Sequence, residues 1–186
     1  LIYDMFSKNI NVFHGIPETT GNYYVSADYG IQNATVFLLW RKEKNNEKWL
    51  CLDEWYYSGR DSRRQKTVSE LVSELRKWLG DILPTIVYID PSASALIAEC
   101  RRAGYTVKSA KNNVIEGITK VSSMLATGEL MFSEKCVHTL EEFAGYAWDV
   151  NRPECDTPLK INDHCMDAVR YFANSRPKYS YITKFA

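Results

Sequence analysis

Hydrophobic and polar positions recur along this chain with two periods, and the changeovers divide it into elements. Residues 23–28, 35–41 and 49–57 are rich in aromatic and β-branched side chains, the composition of strands. The polar stretch 42–48 between the last two reads as a turn, so the three predict a meander. After Gly59 the period lengthens. Val68, Leu71, Val72, Leu75, Trp78 and Leu79 fall at helical spacing, and Gly80 and Pro84 close the run. Residues 85–90 form a nearly unbroken apolar run of strand length, the mark of a strand covered on both faces. Ala93, Leu96, Ile97 and Cys100 mark a second helix that ends before Gly104, and residues 105–109 supply a further strand. Strand, helix and strand in that order form a right-handed parallel crossover.

Three more helical patterns follow: Val114, Ile118, Val121 and Leu125; Val137, Leu140, Ala144 and Ala147; and Cys165, Val169 and Phe172. A loop with two prolines, residues 151–158, separates the last two. Residues 1–22 carry the breakers Gly15, Pro17 and Gly21 and read as a lead-in outside the main sheet. The expected architecture is α/β, over residues 23–186. A central mixed sheet of at least five strands, three antiparallel and then parallel ones, carries helices on both faces.

Composition narrows the partners more than the fold. With 45% apolar and 25% charged residues the 186-residue chain has the mix of one ordinary globular domain. No apolar run reaches the roughly 18 residues that cross a bilayer, and no leader precedes the first structured segment, so neither membrane nor secretion is expected. Cys51, Cys100, Cys136, Cys155 and Cys165 are odd in number and lack CxxC spacing, which fits reduced thiols in a cytoplasm. Basic and acidic side chains balance at 23 each, so any nucleic-acid surface must be local. The chain starts at Leu1 rather than methionine, which suggests a piece of something larger.

Candidate chemistry comes from three aspartates. Asp28 ends the first strand in Ser26-Ala27-Asp28-Tyr29-Gly30, and Asp90 ends the buried fourth strand in Tyr88-Ile89-Asp90-Pro91-Ser92. If those strands are parallel neighbours, about 4.8 Å apart, both carboxylates leave the same edge. Two bare carboxylates that close need a proton or a cation between them. Asp167 on the last helix supplies a third, and His164, three residues earlier, shares its face opposite the apolar one. His164 either positions a water or the scissile phosphate or is a surface histidine near a helix start. Such a set suits two divalent cations about 3.5 to 4 Å apart that hydrolyse a phosphodiester. Taken alone, Asp90 before Pro91-Ser92 reads as the cap of the next helix, and Asp163 reads as the N-cap of the last helix rather than as a ligand. The constellation carries the argument.

The order of these elements and four local motifs resemble the nuclease domain of tailed-phage terminase large subunits, members of the RNase H-like or retroviral integrase superfamily. The motifs are Ser26 to Gly30 continuing to Asn33-Ala34-Thr35, Asp53-Glu54-Trp55-Tyr56-Tyr57-Ser58-Gly59, Tyr88 to Ser92, and Asp163 to Tyr171. The resemblance implies cutting of concatemeric double-stranded DNA during genome packaging, with two Mg²⁺ or Mn²⁺ ions held at Asp28, Asp90 and Asp167. It implies the portal, the small terminase subunit and an ATPase domain of the same polypeptide as partners, in the host cell cytoplasm and transiently at the procapsid portal. No GxxxxGK[ST] loop is present, so ATP hydrolysis by that route is not expected. Residues 1–22 then correspond to the connection from an upstream ATPase domain. Some superfamily members use glutamate at the second position, which makes Glu54 a reserve candidate.

Basic side chains that could neutralise phosphates are Arg60, Arg63, Arg64 and Lys66 after the third strand, and Lys111 after the fifth. A solvated loop accounts for the same charges. A non-catalytic module docking DNA or the portal, and another RNase H-like nuclease such as a resolvase, are the competing readings.

Overall fold

A computed structural model of the chain describes residues 1–152, 154 and 156–178. A short helix α1 (Lys8–Asn11) and strand β1 (Val12–Phe13) precede three long strands, β2 (Thr19–Asp28), β3 (Ala34–Glu43) and β4 (Trp49–Ser58). Then come α2 (Val68–Leu79), β5 (Ile86–Ile89), α3 (Ser94–Arg102), β6 (Val107–Ser109), α4 (Val114–Ala126), β7 (Leu130–Ser133), α5 (Val137–Gly145) and α6 (His164–Ser175). The strands form one seven-stranded sheet in the order β1-β7-β4-β3-β2-β5-β6. β2, β3 and β4 pair antiparallel, and the remaining pairings are parallel. The predicted meander and parallel crossover are both present, in an RNase H-like α/β fold.

Alternation along the central strands divides the core in two. Val25, Ala27, Phe37 and Leu39 point to the face covered by α2 and α3, while Tyr24, Val36, Leu38 and Trp40 point to the face covered by α4, α5 and α6. Helices therefore lie on both faces, as expected. On the second face the Trp40 and Phe172 rings stack with centroids 4.2 Å apart, and the buried indole N–H donates to Ser26 Oγ at 2.9 Å. Both requirements of a buried tryptophan, apolar contact and a partner for its N–H, are met. This contact ties α6 to β3.

Residues 1–22 do not lie outside the sheet. Ile2 and Tyr3 are buried in the core, the Ile2 N–H donates to the Tyr146 carbonyl at 2.8 Å, and β1 pairs with β7 at the sheet edge. Asn11 fastens the segment, since its buried amide donates to the Leu125 and Leu130 carbonyls at 2.9 and 3.1 Å. The sequence concealed this because β1 spans two residues and β7 four, runs too short for either period to register.

α6 also departs from the expected amphipathic pattern. Its residues from Cys165 to Asn174 are all buried, so Asp167 lies beneath neighbouring structure instead of on an exposed polar face. Among the described residues no helix is long and apolar enough to cross a membrane. Cys51, Cys100, Cys136 and Cys165 are buried free thiols, and Cys155 lies outside the described residues.

Candidate metal centre

β2 and β5 are parallel neighbours in register Ala27↔Ile89, so the next residue of each strand, Asp28 and Asp90, leaves the same edge. α6 packs across β2 and β3 and brings its first turn to that edge. Between these elements lies a cavity of about 370 Å³ lined by Asp28, Asp163, His164 and Asp167, with Lys160, Arg60 and Asn33 on its walls. Three of the four predicted centre residues, Asp28, His164 and Asp167, thus meet in one place.

Burial and pairing set the electrostatics there. Burial pushes the Asp28 carboxyl up to about 6; the hydrogen bond with His164 opposes that rise and the charge of Asp167 adds to it. His164 Nδ1 lies 2.9 Å from Asp28 Oδ2, and this bond raises the imidazole above its ordinary value. Asp167 is held from two sides. Arg170 donates to its Oδ1 at 2.6 Å, and the Lys160 ammonium lies 3.3 Å from its Oδ2. The same ammonium stands 2.9 Å from Asp163 Oδ2.

Arg170 reaches Asp167 because α4 leaves room for it. A Cβ on Gly117 would lie 2.3 Å from Arg170 Cγ, so only glycine lets the side chain cross α4 there. The guanidinium also donates to the Asn112 carbonyl at 2.9 Å, which links α6 to the loop after β6.

Asp90 faces a different set of groups. Its Oδ1 accepts from the Ser92 N–H at 2.8 Å and its Oδ2 from Asn112 at 3.2 Å, and it does not line the cavity. Burial raises its carboxyl, but hydrogen-bond donors at Ser92, Asn112 and Tyr171 outweigh burial and hold it below its ordinary value. The Ser92 bond is an Asx-type turn before α3. The charges of Asp28, Asp90 and Asp167 all bear on the Tyr171 hydroxyl and, with burial as the larger cause, push it upward. Among the described residues no three acidic, histidine or cysteine side chains are gathered closely enough to enclose one ion. The cavity carboxylates are turned onto Lys160, Arg170 and His164.

Two acids do work that the sequence did not assign to them. Asp163 stands at the N-cap position of α6, yet its side chain makes no capping bond. Glu142 from α5 takes that task, accepting from the Cys165 and Met166 N–H groups at 2.8 and 3.1 Å. Burial pushes Glu142 up to about 8, against the lowering effect of those bonds. Glu54, the reserve ligand, is spent on the start of α5. Its two carboxylate oxygens accept from the His138 and Thr139 N–H groups at 2.7 and 2.9 Å, and from the Thr139 hydroxyl at 2.7 Å.

Of the predicted phosphate contacts, Arg60 is the one on the cavity wall, donating to Asn33 Oδ1 at 3.2 Å. Arg60, Arg63 and Arg64 line an adjoining groove of about 270 Å³. Arg64 pairs with Glu70, and the Lys66 ammonium lies 4.7 Å from the centre of the Tyr57 ring. Lys111 is exposed beside the C-terminal end of α6, where its N–H donates to Ser175 Oγ at 2.8 Å, and it is not on the cavity wall. Lys160 and Glu142 had no signal in the sequence. Arg170 had one, its spacing of three from Asp167 on a helix.

No family model matches the chain, and no curated protein matches it. Solved structures do. The large terminase of a thermophilic bacteriophage is 39% identical, with a TM-score of 0.89, over 94% of this chain and 45% of that one. The chain belongs to the phage large-terminase family. It spans about half the length of that relative. The nuclease domain of the P22 large terminase shares the fold over 94% of this chain and 91% of its own length, at 19% identity and a TM-score of 0.74. The nuclease domain of the large terminase from bacteriophage SPP1, solved with bound Mn, covers 87% of this chain and 94% of its own length at 17% identity and a TM-score of 0.57. The family's shared fold therefore accounts for nearly all of this terminase chain.

Proposed function

We propose that this terminase domain is a metal-dependent DNA endonuclease that cuts concatemeric viral DNA during packaging, with two Mg²⁺ or Mn²⁺ ions held by Asp28, Asp90 and Asp167. One observation carries the reading: Asp28, His164 and Asp167, from elements 136 residues apart, line one cavity at the end of β2. The SPP1 relative with bound Mn supports a divalent ion. The donors fit such an ion in kind, since the cavity carboxylates offer hard oxygens, and buried Asp163 Oδ2 already has a cation, the Lys160 ammonium, beside it.

The bound ions would supply water activation and stabilisation of the leaving oxygen. The chain's own side chains supply the rest. His164, fixed by Asp28, orients a water or the scissile phosphate. Arg170 braces Asp167 from below the cavity, and Arg60 neutralises a phosphate where the cavity opens into the groove it shares with Arg63 and Arg64. Lys66 and Lys111 extend the basic surface. Asp90 contributes from the neighbouring strand end once its bonds to Ser92 and Asn112 give way.

In the whole protein, an ATPase domain of the same polypeptide, the portal, the small subunit and double-stranded DNA are the partners in the host cytoplasm. Plasmid incubated with the domain and Mn²⁺ should be relaxed and degraded, chelator should stop the reaction, and Asp28→Ala should abolish it with the fold intact. Cutting that survives Asp28→Ala would overturn the proposal.

A further inference from the structure

We infer that Asp163 is an additional carboxylate of the cation centre, and that Lys160 occupies its cation position until a divalent ion displaces the ammonium. The inference rests on the metal-centre reading above and adds two residues with opposite roles to it.

Asp163 has the sequence position of an N-cap and none of the bonding of one. The two α6 N–H groups that need acceptors are served by Glu142 instead. Its side chain is 7% exposed, and it lines the same cavity as Asp28 and Asp167. Asp163 Oδ2 has no hydrogen-bond partner in directed geometry, although the Lys160 ammonium is 2.9 Å away. A buried carboxylate oxygen whose neighbour is a mobile ammonium can take a divalent ion in its place, because such an ion prefers hard oxygen ligands. Leaving it otherwise unpaired would be costly, so some cation must stand there.

Lys160 is that cation in this structure, within 3.3 Å of both Asp163 and Asp167. It is built to leave. Its side chain is 61% exposed, and it sits in the irregular stretch between α5 and α6. Trp148 and Pro158 form an isolated bridge there, and the stretch turns into α6 through Asn162 at a φ of +48°. That left-handed residue directs Asp163 inward immediately before the helix begins. A flexible, strongly hydrated ammonium can exchange with a divalent ion without disturbing α6.

The two residues should therefore move ion affinity in opposite directions. Mn²⁺ is titrated into the wild-type chain and into Asp163→Asn, Lys160→Met and Asp28→Asn, with free Mn²⁺ read by its electron paramagnetic resonance signal. The expectation is at least tenfold weaker binding for Asp163→Asn and at least tenfold tighter binding for Lys160→Met. If Asp163 only anchors Lys160, removing either partner has the same consequence, so shifts of the same sign, or none, overturn the inference. Asp163→Ser retains a residue suited to the N-cap position and keeps the test open should the asparagine variant not fold; wild-type affinity in a folded serine variant likewise overturns it. Asp28→Asn separates the two levels. Binding lost in Asp28→Asn but unmoved by Asp163→Asn and Lys160→Met leaves the centre standing and removes this inference. Binding unaffected by Asp28→Asn, or absent from wild type and Lys160→Met alike, removes both.

Discussion

Replacing Glu142 by glutamine separates the two things that this side chain does, holding the start of α6 and resisting ionisation. Its carboxyl is buried between α5 and α6, near His164 and Tyr56, and accepts two α6 N–H groups. Glutamine keeps an acceptor for both. Burial places the folded-state carboxyl at about 8, against an ordinary 4.5. A group raised on folding stabilises fully below its unfolded value, and that contribution is lost as pH rises through the folded value. Glu142 should therefore erode stability between about pH 4.5 and pH 8, and glutamine should not. At ~1.4 kcal/mol per tenfold difference, the stability of Glu142→Gln relative to wild type should improve by about 3 kcal/mol from pH 5.5 to pH 9. Urea unfolding at both pH values, followed by circular dichroism, reads this difference directly. Parallel stability profiles for the two proteins would refute the reasoning, because they would mean that Glu142 already caps α6 as an anion at neutral pH.

Other perturbations test the scaffold and the DNA path. Glu54→Ala removes the acceptor of the His138 and Thr139 N–H groups at the start of α5 and should lower stability by roughly 1–3 kcal/mol. Its Mn²⁺ affinity should stay at the wild-type value, and a loss would return Glu54 to the ligand set. Gly117→Ala sets a methyl 2.3 Å from Arg170 Cγ and should cost about 1–3 kcal/mol in a thermal melt, net of alanine's better helix propensity; a stabilised variant would show that Arg170 moves aside freely. Arg60→Ala should weaken DNA binding and reduce the slope of log affinity against log salt by about 1. An unchanged slope would place the DNA elsewhere.

Much of the fold was legible because its long elements carry clean periods. The residues of β3 alternate between two cores, and those of α2 recur at helical spacing, so each reported its own burial. β1 and β7 did not, since strands of two and four residues are specified by the neighbours they pair with. Strand ends that bring Asp28 beside Asp90 followed from the parallel pairing of β2 and β5. What the pattern could not supply was orientation. Asp90 and Asp28 leave one edge, yet Asn112 and Ser92 turn Asp90 one way and His164 turns Asp28 another. Asp163 at a helix start looked like a cap, and the capping was done by Glu142 from another helix. Lys160 lies in irregular chain, where no period reports which way a side chain faces.

The most direct test of the metal centre is anomalous diffraction from crystals of the domain soaked in Mn²⁺. The account predicts Mn²⁺ peaks at bonding distance from carboxylate oxygens of Asp28 and Asp167, in the cavity lined by both residues, with the Lys160 ammonium withdrawn from Asp163 and Asp167. Peaks confined to other surfaces, with Lys160 still between those two aspartates, would contradict it.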